Sequence, residues 1–375
     1  MMTKPRSMIR TAVQNIALLA ASSVAFLLFC EFVVFRFLIP GADVEANAFI
    51  DDVIRYKPET GGVFRRVDEI EARFSINQNG WNSPHASYAL ERTPGIQRIA
   101  IVGDSYVHAR EVDVDKTFAE VIERDLASEP GSLEVFRFGI KGAPLSQYLH
   151  MLREEVLRFQ PDLIIVPLIH NDFDESFRPR WGRYIKSFMH LNIENGEVVS
   201  EKEPLPYEPG WTDVISASAT YSTLERRYGA VGTLKSLVSG SDEETVYQAN
   251  IDVAAVSEVM DDIAVATDYV FEQFADFSKE HGIKLVLVMD GHRDAIYAED
   301  VGETVPLVLN QLSADVAAKH GLPFLDLHPH FQEDWQANQT VFNFESDGHW
   351  NEYGHQLVAA AINNWIQQES LLSGL

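Results

Sequence analysis

Two short stretches of this sequence carry residue types that could together activate a serine. Ser105 lies in Gly103-Asp104-Ser105-Tyr106, and Asp347 and His349 lie in Asp347-Gly348-His349. A serine hydroxyl is a poor nucleophile unless a neighbouring base removes its proton, and histidine does so near neutral pH. A carboxylate can fix the tautomer of that histidine and stabilise its charged form. Residues i and i+2 of turn or extended backbone point the same way, so the pattern predicts a Ser105–His349–Asp347 triad.

Attack by a serine on a carbonyl also needs hydrogen-bond donors for the oxyanion that forms. We predict that these donors are the backbone N–H groups of Ser105 and Gly142 and the side-chain amide of Asn171. Glycine suits the second position because a side chain there would obstruct the approach of the backbone. Asp104 is expected to stabilise the turn through backbone hydrogen bonds. Ser105 alone could instead be a helix N-cap, and only the other motifs favour the nucleophile.

The elements that must position these residues alternate between apolar runs and amphipathic segments. Continuous apolar runs predict five buried strands, at 99–102, 133–138, 162–169, 283–289 and 324–327. Helical periodicity occurs at 117–126, 145–159, 253–279, 305–319 and about 354–372. This alternation predicts an α/β fold with a five-stranded parallel sheet covered on both faces. Ligands of such sheets bind at the carboxyl ends of the strands, where the motifs lie.

These motifs resemble those of the SGNH (GDSL-like) hydrolase family. Gly103-Asp104-Ser105-Tyr106 resembles its first block, Gly142 in FGIKG its second, Asn171 in IHND its third, and Asp347 with His349 in DGHWN its last. The resemblance extends over about residues 74–371, because FSINQNGW before the first strand is also similar to exported members. It implies a flavodoxin-like three-layer fold, serine ester or acyl-transfer chemistry, and no metal or other cofactor.

Two departures from the family pattern narrow the resemblance. The third block usually has glycine two residues before its asparagine, where this chain has Ile169. The last block is commonly Asp-x-x-His, and here it is Asp347-Gly348-His349-Trp350. That spacing resembles the alginate O-acetyltransferase-like branch of exported polysaccharide proteins. The departures leave open the substrate and the choice between water and a sugar hydroxyl as acceptor.

The N-terminus predicts a membrane anchor. Lys4, Arg6 and Arg10 precede an apolar run from Ile16 that continues to Ile39, interrupted by Glu31 and Arg36, which are expected to form at most a weak pair. About 20 apolar residues cross a bilayer as a helix, and preceding positive charges place the N-terminus in the cytoplasm. The catalytic part would then lie on the periplasmic or extracellular side.

A cleaved signal peptide is the alternative to that anchor. Its small-x-small site would be Ala46-Asn47-Ala48, which lies well beyond the apolar run. Along the chain we predict an anchor over residues 1–40, a lead-in segment over 41–98 and a catalytic domain over 99–372 with an insertion at 173–250. Within the insertion, Asn195-Gly196 between β-prone residues predicts a hairpin.

Composition supports a folded enzyme and argues against nucleic acid as a partner. The formal net charge is -26, which repels phosphate backbones. The single cysteine, Cys30, excludes an intrachain disulfide. The oligomeric state is left open.

Several residues near the motifs have a structural and a functional interpretation. His108 and His170 could contact substrate, but a lone histidine is more often structural. The carboxylates of Asp172, Asp174 and Glu175 are expected to be solvated loop groups. Trp350 is expected to fill the rim of the cleft, and His355 to be a surface or packing residue. Asp290 and His292 form a weaker alternative pair without a serine motif.

The sequence thus predicts a membrane-anchored serine ester hydrolase or acyltransferase that acts on acyl esters, in particular acetyl esters, of carbohydrates. A plain esterase or lipase on small or lipid esters is one alternative. An inactive glycan-binding or assembly protein of the same fold is the other.

Overall fold

The computed structural model describes residues 5–129, 131–179, 182, 184–230, 247–299, 302 and 304–372. The chain begins with a long apolar helix, α1 (Pro5–Phe29), which continues as a π-helix over Cys30–Leu38. Residues Arg10–Leu38 are long and apolar enough to cross a membrane. Lys4 of the predicted positive flank lies outside the described residues. Arg36 and Glu31 form an ion pair of 3.8 Å.

The segment between this helix and the central sheet contains two hairpins that the sequence did not reveal. Strands β1 (Asn47–Ile50) and β2 (Val53–Tyr56) pair antiparallel, as do β3 (Thr60–Arg66) and β4 (Ile70–Ile76). In β4 buried and exposed residues alternate, as expected where one face meets a core. Buried Arg55 of β2 forms an ion pair with Glu155 at 2.7 Å, which joins this segment to the following domain.

Five parallel strands form the central sheet, as predicted. They are β5 (Gln97–Gly103), β6 (Leu133–Gly139), β7 (Leu163–Leu168), β12 (Lys284–Met289) and β13 (Phe324–Asp326), with the order β6-β5-β7-β12-β13. This is the flavodoxin-like order, whose direction reverses between β5 and β7. The fold class predicted from the sequence is therefore confirmed.

A crevice forms at that reversal because two neighbouring strands separate there. Strand β5 pairs with β6 as far as Gly103, but with β7 only as far as Ile101 opposite Ile165. Pro167 of β7 has no N–H to donate, so it cannot extend the pairing with β5. The residues that follow β5, β6 and β7 therefore surround an opening at the carboxyl edge of the sheet.

Helices cover both faces of the sheet. In the described part of the chain, the α-helices that follow α1 are α2 (Ser105–His108), α3 (Phe118–Leu126), α4 (Leu145–Glu154), α5 (Asp172–Glu175), α6 (Trp211–Ser216), α7 (Ala219–Tyr221), α8 (Val253–Ser257), α9 (Met260–His281), α10 (Arg293–Tyr297), α11 (Val305–His320), α12 (His328–Asn338) and α13 (Glu352–Gln368). Helices α4, α9 and α11 bury apolar residues in the core on one face, and α3 and α13 in the core on the other. Helix α12 was not predicted from the sequence.

The predicted insertion departs from the strand–helix alternation. It contains the hairpin of β8 (His190–Glu194) and β9 (Glu197–Lys202), whose turn residues Asn195 and Gly196 both have positive φ, as the sequence predicted. Two short strands, β10 (Tyr247–Gln248) and β11 (Ile251–Asp252), pair at its end. Residues 180, 181, 183 and 231–246 of the insertion lie outside the described residues. The domain boundaries remain predictions.

Candidate active site

Ser105 begins the short helix α2 directly after β5, and its hydroxyl faces an imidazole. The distance from Ser105 Oγ to His349 Nε2 is 2.8 Å. Asp104, and not Ser105, caps the helix, because its carboxylate accepts the backbone N–H of Tyr106 at 2.8 Å. Ser105 Oγ also lies 3.1 Å from Asp104 Oδ2. The serine hydroxyl is thus left to interact with His349 rather than with its own helix.

The other ring nitrogen of His349 lies against a carboxylate. His349 Nδ1 hydrogen-bonds to Asp347 Oδ1, and the backbone N–H of His349 donates to the same oxygen at 3.1 Å. The second oxygen of Asp347 lies 3.3 Å from the guanidinium of Arg66, on the hairpin of β3 and β4. A serine, a histidine and an aspartate therefore form one hydrogen-bonded chain across 244 residues of sequence separation.

The charges at this site shift the pKa values of the two groups in opposite directions. Burial alone would raise the pKa of Asp347, but the charge and hydrogen bonds of His349, with Arg66, lower it. Burial would lower the pKa of His349, but the carboxylates of Glu111 and Asp347 raise it. Each group therefore favours the charged form of the other, which is the arrangement that stabilises an imidazolium during proton transfer.

A network of hydrogen bonds holds the loop that carries this pair. The carbonyl of Gly348 accepts the hydroxyl of Tyr106 and the guanidinium of Arg293, each at 2.9 Å. Asn250 donates to the Tyr106 hydroxyl at 2.8 Å. A Cβ at position 348 would lie 2.7 Å from Asn250 Oδ1, so glycine permits this close approach. Through this network Tyr106, the residue after Ser105, helps to hold the loop that carries Asp347 and His349.

Glu111 was not predicted as a site residue, although it lies close to the pair. Its buried carboxylate is 3.9 Å from His349 Nδ1 and 3.3 Å from Arg110 Nε. Glu111, Asp347 and His349 bring ligand atoms within 4.8 Å of one another. Asp347 and His349 already hydrogen-bond to each other, so the cluster fits a histidine with two carboxylates better than a cation site. The sequence offered no signal beyond the position of Glu111 six residues after the serine.

The predicted oxyanion donors follow three neighbouring strands at the crevice. The backbone N–H of Ile140 donates to Gly103 O at 3.2 Å, which joins the loop of Gly142 to the turn of Ser105. Gly142 has φ +72°, and its Cβ position is open space. Asn171 directly precedes α5 after β7. The roles of the Ser105 N–H, Gly142 and Asn171 in binding an oxyanion remain predictions.

A cavity of about 420 Å³ includes Gly142 in its wall. Lys141, Arg110 and Arg226 also line it, together with Glu45 and Glu175. The Arg110 guanidinium, followed by burial, lowers the pKa of Lys141 to about 8. This mixture of cations and carboxylates makes the cavity polar on the side of the predicted oxyanion donors.

The two other histidines near the motifs do not join the serine. His170 is fully buried and its Nε2 lies 2.9 Å from Asn310 Oδ1. His108 is buried, stacks on Tyr56 with ring centroids 4.4 Å apart, and lies 3.3 Å from Glu45. Both have structural environments, which was the interpretation favoured from the sequence.

Two expectations about neighbouring residues were wrong. Asp172, Asp174 and Glu175 are buried rather than solvated, because α5 turns them back onto the core. Tyr148 donates to Asp172 at 2.7 Å. Trp350 does not fill the rim: it is buried, and its indole N–H donates to Asp290 at 3.1 Å.

The remaining residues that the sequence singled out also serve the structure. His355 is a packing residue whose Nδ1 accepts the backbone N–H of Phe118 at 3.2 Å. Asp290 forms a buried ion pair with Arg293 at 2.9 Å. His292 Nδ1 lies 2.8 Å from the hydroxyl of Thr304. Asp290 and His292 therefore do not form a second pair.

Comparison with known proteins gives a family match over the C-terminal part of the chain. Residues 255–375 match the model of a family described as an SGNH hydrolase-like domain of the acetyltransferase AlgX. The resemblance to SGNH hydrolases, and to their alginate O-acetyltransferase-like branch, is thereby confirmed. The chain is similar to proteins of the acyl esterase and acyltransferase kind. No curated protein sequence matches it.

Solved structures with a similar arrangement are distant. A lipase/acylhydrolase from Enterococcus faecalis has 16% identity and a TM-score of 0.39, with 73% of this chain and 97% of that chain covered. The acetyl xylan esterase AlAXEase has 12% identity and a TM-score of 0.41, with 72% and 99% covered. A two-domain esterase active on acetylated mannans has 12% identity and a TM-score of 0.39, with 74% and 50% covered.

Proposed function

We propose that this protein is a membrane-anchored serine esterase or acyltransferase that acts on acyl esters, in particular acetyl esters, of carbohydrates. The observation that carries the proposal is the contact of 2.8 Å between Ser105 Oγ and His349 Nε2, with Asp347 on the other ring nitrogen. The match to an acetyltransferase family supports acetyl transfer in particular. The carbohydrate part of the proposal has its own test, given below.

In the first half of the reaction, Ser105 Oγ attacks the ester carbonyl while His349 Nε2 takes the hydroxyl proton. The carbonyl oxygen becomes an oxyanion that the N–H groups of Ser105 and Gly142 and the amide of Asn171 would bind. The imidazolium then gives its proton to the oxygen of the leaving alcohol, the carbonyl–oxygen bond breaks, and an acyl-serine remains. Asp347 and Glu111 stabilise the imidazolium while it carries the proton.

In the second half, an acceptor hydroxyl attacks the acyl-serine. His349 removes the proton of this hydroxyl and returns it to Ser105 Oγ as the acyl bond breaks. Water as acceptor gives hydrolysis, and a sugar hydroxyl gives acyl transfer. The chemistry at Ser105 is the same in both cases, so the acceptor decides whether the protein is an esterase or an acyltransferase.

The location follows from the apolar helix at the N-terminus. The 29 residues Arg10–Leu38 would cross the bilayer, and the positive residues before them favour a cytoplasmic N-terminus. The catalytic part would then lie on the extracytoplasmic side.

Labelling with a fluorophosphonate probe tests the serine mechanism. We expect the full-length protein to react, Ser105→Ala to lose labelling, and the exposed-serine control Ser128→Ala to keep it. Absence of labelling in the wild type would instead support an inactive glycan-binding protein of the same fold. Labelling that survives Ser105→Ala would contradict Ser105 as the nucleophile.

Product analysis then separates the enzymatic alternatives. The detergent-solubilised protein is incubated with an acetylated glycan, with and without an unacetylated acceptor sugar. Acetate release that is independent of the acceptor identifies an esterase, and acetylated acceptor identifies a transferase. If neither occurs while p-nitrophenyl acetate is hydrolysed, the carbohydrate part of the proposal is wrong and the plain esterase is correct.

A further inference from the structure

Helix α6 in the insertion exposes its apolar side chains and Thr212 to solvent, whereas Asp213 and Ser216 lie on its other side. Trp211, Val214 and Ile215 are 74%, 74% and 47% exposed, and their i, i+3, i+4 spacing places them on one face. On the other side, Asp213 accepts the hydroxyl of Tyr207 at 2.6 Å, and Ser216 is buried. This orientation is the reverse of that of an ordinary surface helix, so an apolar environment outside the protein would favour it.

The residues that follow α6 are held against the end of the N-terminal apolar helix. The carboxylate of Glu31 accepts the backbone N–H groups of Ala219 and Thr220 at 2.8 and 2.9 Å and the hydroxyl of Ser218 at 2.9 Å. Glu31 thereby satisfies donors at the N-terminus of α7.

Further along the chain, the same part of the insertion contacts the backbone just beyond the apolar helix. Arg227 donates to Pro40 O at 2.7 Å, and Ser222 donates to Ala42 O. The insertion is therefore attached to the apolar helix at several points, and α6 lies next to these contacts.

These contacts set the depth of α6 relative to a bilayer that the apolar helix would cross. The 29-residue span is about 43 Å long at the rise of an α-helix, close to the full thickness of a bilayer with its headgroups, about 40–45 Å. Glu31 precedes Leu38, the end of the span, by seven residues, or at most about 10 Å, because a π-helix rises less per residue than an α-helix. Each headgroup layer is about 5–8 Å thick, half the difference between the whole bilayer and its hydrocarbon core of about 30 Å. The contact of Glu31 with α7 therefore falls near the boundary between headgroups and acyl chains rather than above the membrane.

We infer that α6 lies in the lipid headgroup region and is a second contact of this protein with the bilayer. Tryptophan prefers this region because its ring is apolar and its N–H remains hydrated, and an apolar helix face is stabilised where headgroups meet acyl chains. The inference rests on the proposed membrane anchor. With two contacts, the catalytic part is held in one orientation over the membrane instead of rotating about a single helix.

Labelled single-cysteine variants in lipid nanodiscs test this contact. Cys30 is the only cysteine, so Cys30→Ser gives a cysteine-free background. In it, Val214→Cys, Val341→Cys and Leu19→Cys are each labelled with the environment-sensitive dye NBD. Val341 is 50% exposed and lies outside the insertion, and Leu19 is 67% exposed in the middle of the apolar helix. Nanodiscs contain phosphatidylethanolamine and phosphatidylglycerol, with or without nitroxide-labelled lipid.

We expect NBD at position 214 to emit at shorter wavelength and to be quenched by headgroup nitroxide severalfold more than at position 341. NBD at position 19 should be quenched best by nitroxide in the middle of the acyl chain. Quenching at 19 without quenching at 214, or equal quenching at 214 and 341, would overturn the inference and leave the anchor intact. No quenching at position 19 would instead contradict the anchor itself.

Discussion

Two Asp/His pairs lie at the carboxyl edge of the sheet, each with one residue between its two members. Their hydrogen-bond partners differ. Asp347 and His349 hydrogen-bond to each other, and His349 also hydrogen-bonds to Ser105. Asp172 and His170 contact other partners, the hydroxyl of Tyr148 and the amide of Asn310. From residue type and separation alone the pairs are equivalent. The difference shows that the groups around an aspartate and a histidine, rather than the two residue types themselves, decide whether the pair can transfer a proton.

The pKa shifts of the two pairs have opposite signs. The pKa of Asp347 is lowered and that of His349 is raised, because each group lies beside an opposite charge that outweighs burial. Burial dominates at the other pair: it raises the pKa of Asp172 well above its usual value and lowers that of His170 to about 3. The first pair thus favours ions and the second favours neutral groups.

Replacing each histidine by glutamine should give the largest contrast. His349→Gln removes the base, and we expect kcat/KM for p-nitrophenyl acetate to fall about 10⁴-fold or more. His170→Gln keeps an amide donor toward Asn310, so kcat/KM should stay within about threefold while stability falls by about 1–3 kcal/mol. Steady-state kinetics and urea unfolding of both variants check this. A similar loss of activity in both would make His170 part of the site.

Replacing each aspartate by asparagine is the next contrast. Asp347→Asn leaves the imidazole without its anionic partner, and we expect kcat to fall about 10³- to 10⁴-fold. In Asp172→Asn the amide oxygen can still accept from Tyr148 and from the N–H of Ile169, so at about pH 4, where the Asp172 carboxyl of the folded protein is protonated, the free energy of unfolding should change by no more than about 1 kcal/mol. The same assays apply, and a full-activity Asp347→Asn variant would contradict the triad.

Glu111→Gln tests the second carboxylate beside His349. The base must be neutral to accept a proton, so activity is lost below the pKa of His349. Because Glu111 raises that pKa, its replacement should move the acidic limb of the kcat/KM–pH profile to lower pH, with a loss at neutral pH of no more than about 10-fold. A structural role alone would lower stability without moving the limb. Glu129→Gln, at an exposed position, is the control.

The smallest expected effect is on how stability depends on pH. A lowered pKa in the folded state makes stability rise with pH, so the contribution of Asp347 should be lost as pH falls below about 4. A raised pKa does the opposite, so ionisation of Asp172 should reduce stability as pH rises above about 4. Relative to wild type, Asp172→Asn should therefore gain stability with rising pH and Asp347→Asn should lose it. Unfolding midpoints across pH 2–6, below the titration of His349, measure both slopes, and slopes of the same sign would contradict the assignment.

The parts of the fold that sequence reasoning recovered are those with continuous or periodic apolar residues. All five sheet strands were predicted, because strands buried on both faces carry unbroken apolar runs such as that of β7. Strands β1–β4 and helix α12 were missed. Strands β1 and β3 and helix α12 are only partly buried, and turn-forming residues interrupt the lead-in segment, so their periodicity is weak. Strand β4 does show period 2, with Ile70, Ala72, Phe74 and Ile76 buried, but this short signal was not recognised.

For the candidate site, sequence order and strand ends were enough to select Ser105, Asp347 and His349, because the carboxyl ends of parallel strands meet at one edge. They were not enough to find Arg66 or Glu111, which contact Asp347 and His349. Arg66 lies on a hairpin and Glu111 in a loop, and neither directly follows a strand of the central sheet. Sequence order and strand ends also failed for Asp172, Asp174 and Glu175, where a short helix buries carboxylates that would be solvated in an open loop.

By itself, the sequence determined the five strands of the sheet, the apolar N-terminal helix and the set of residues able to form a serine–histidine–aspartate chain. These follow from patterns among neighbouring residues and from the order of the elements along the chain. The tertiary structure alone decided which further charged groups reach the histidine and aspartate, which carboxylates stay charged and which apolar side chains remain outside. Burial and electrostatic partners come from residues far apart in the chain, so no local pattern contains them.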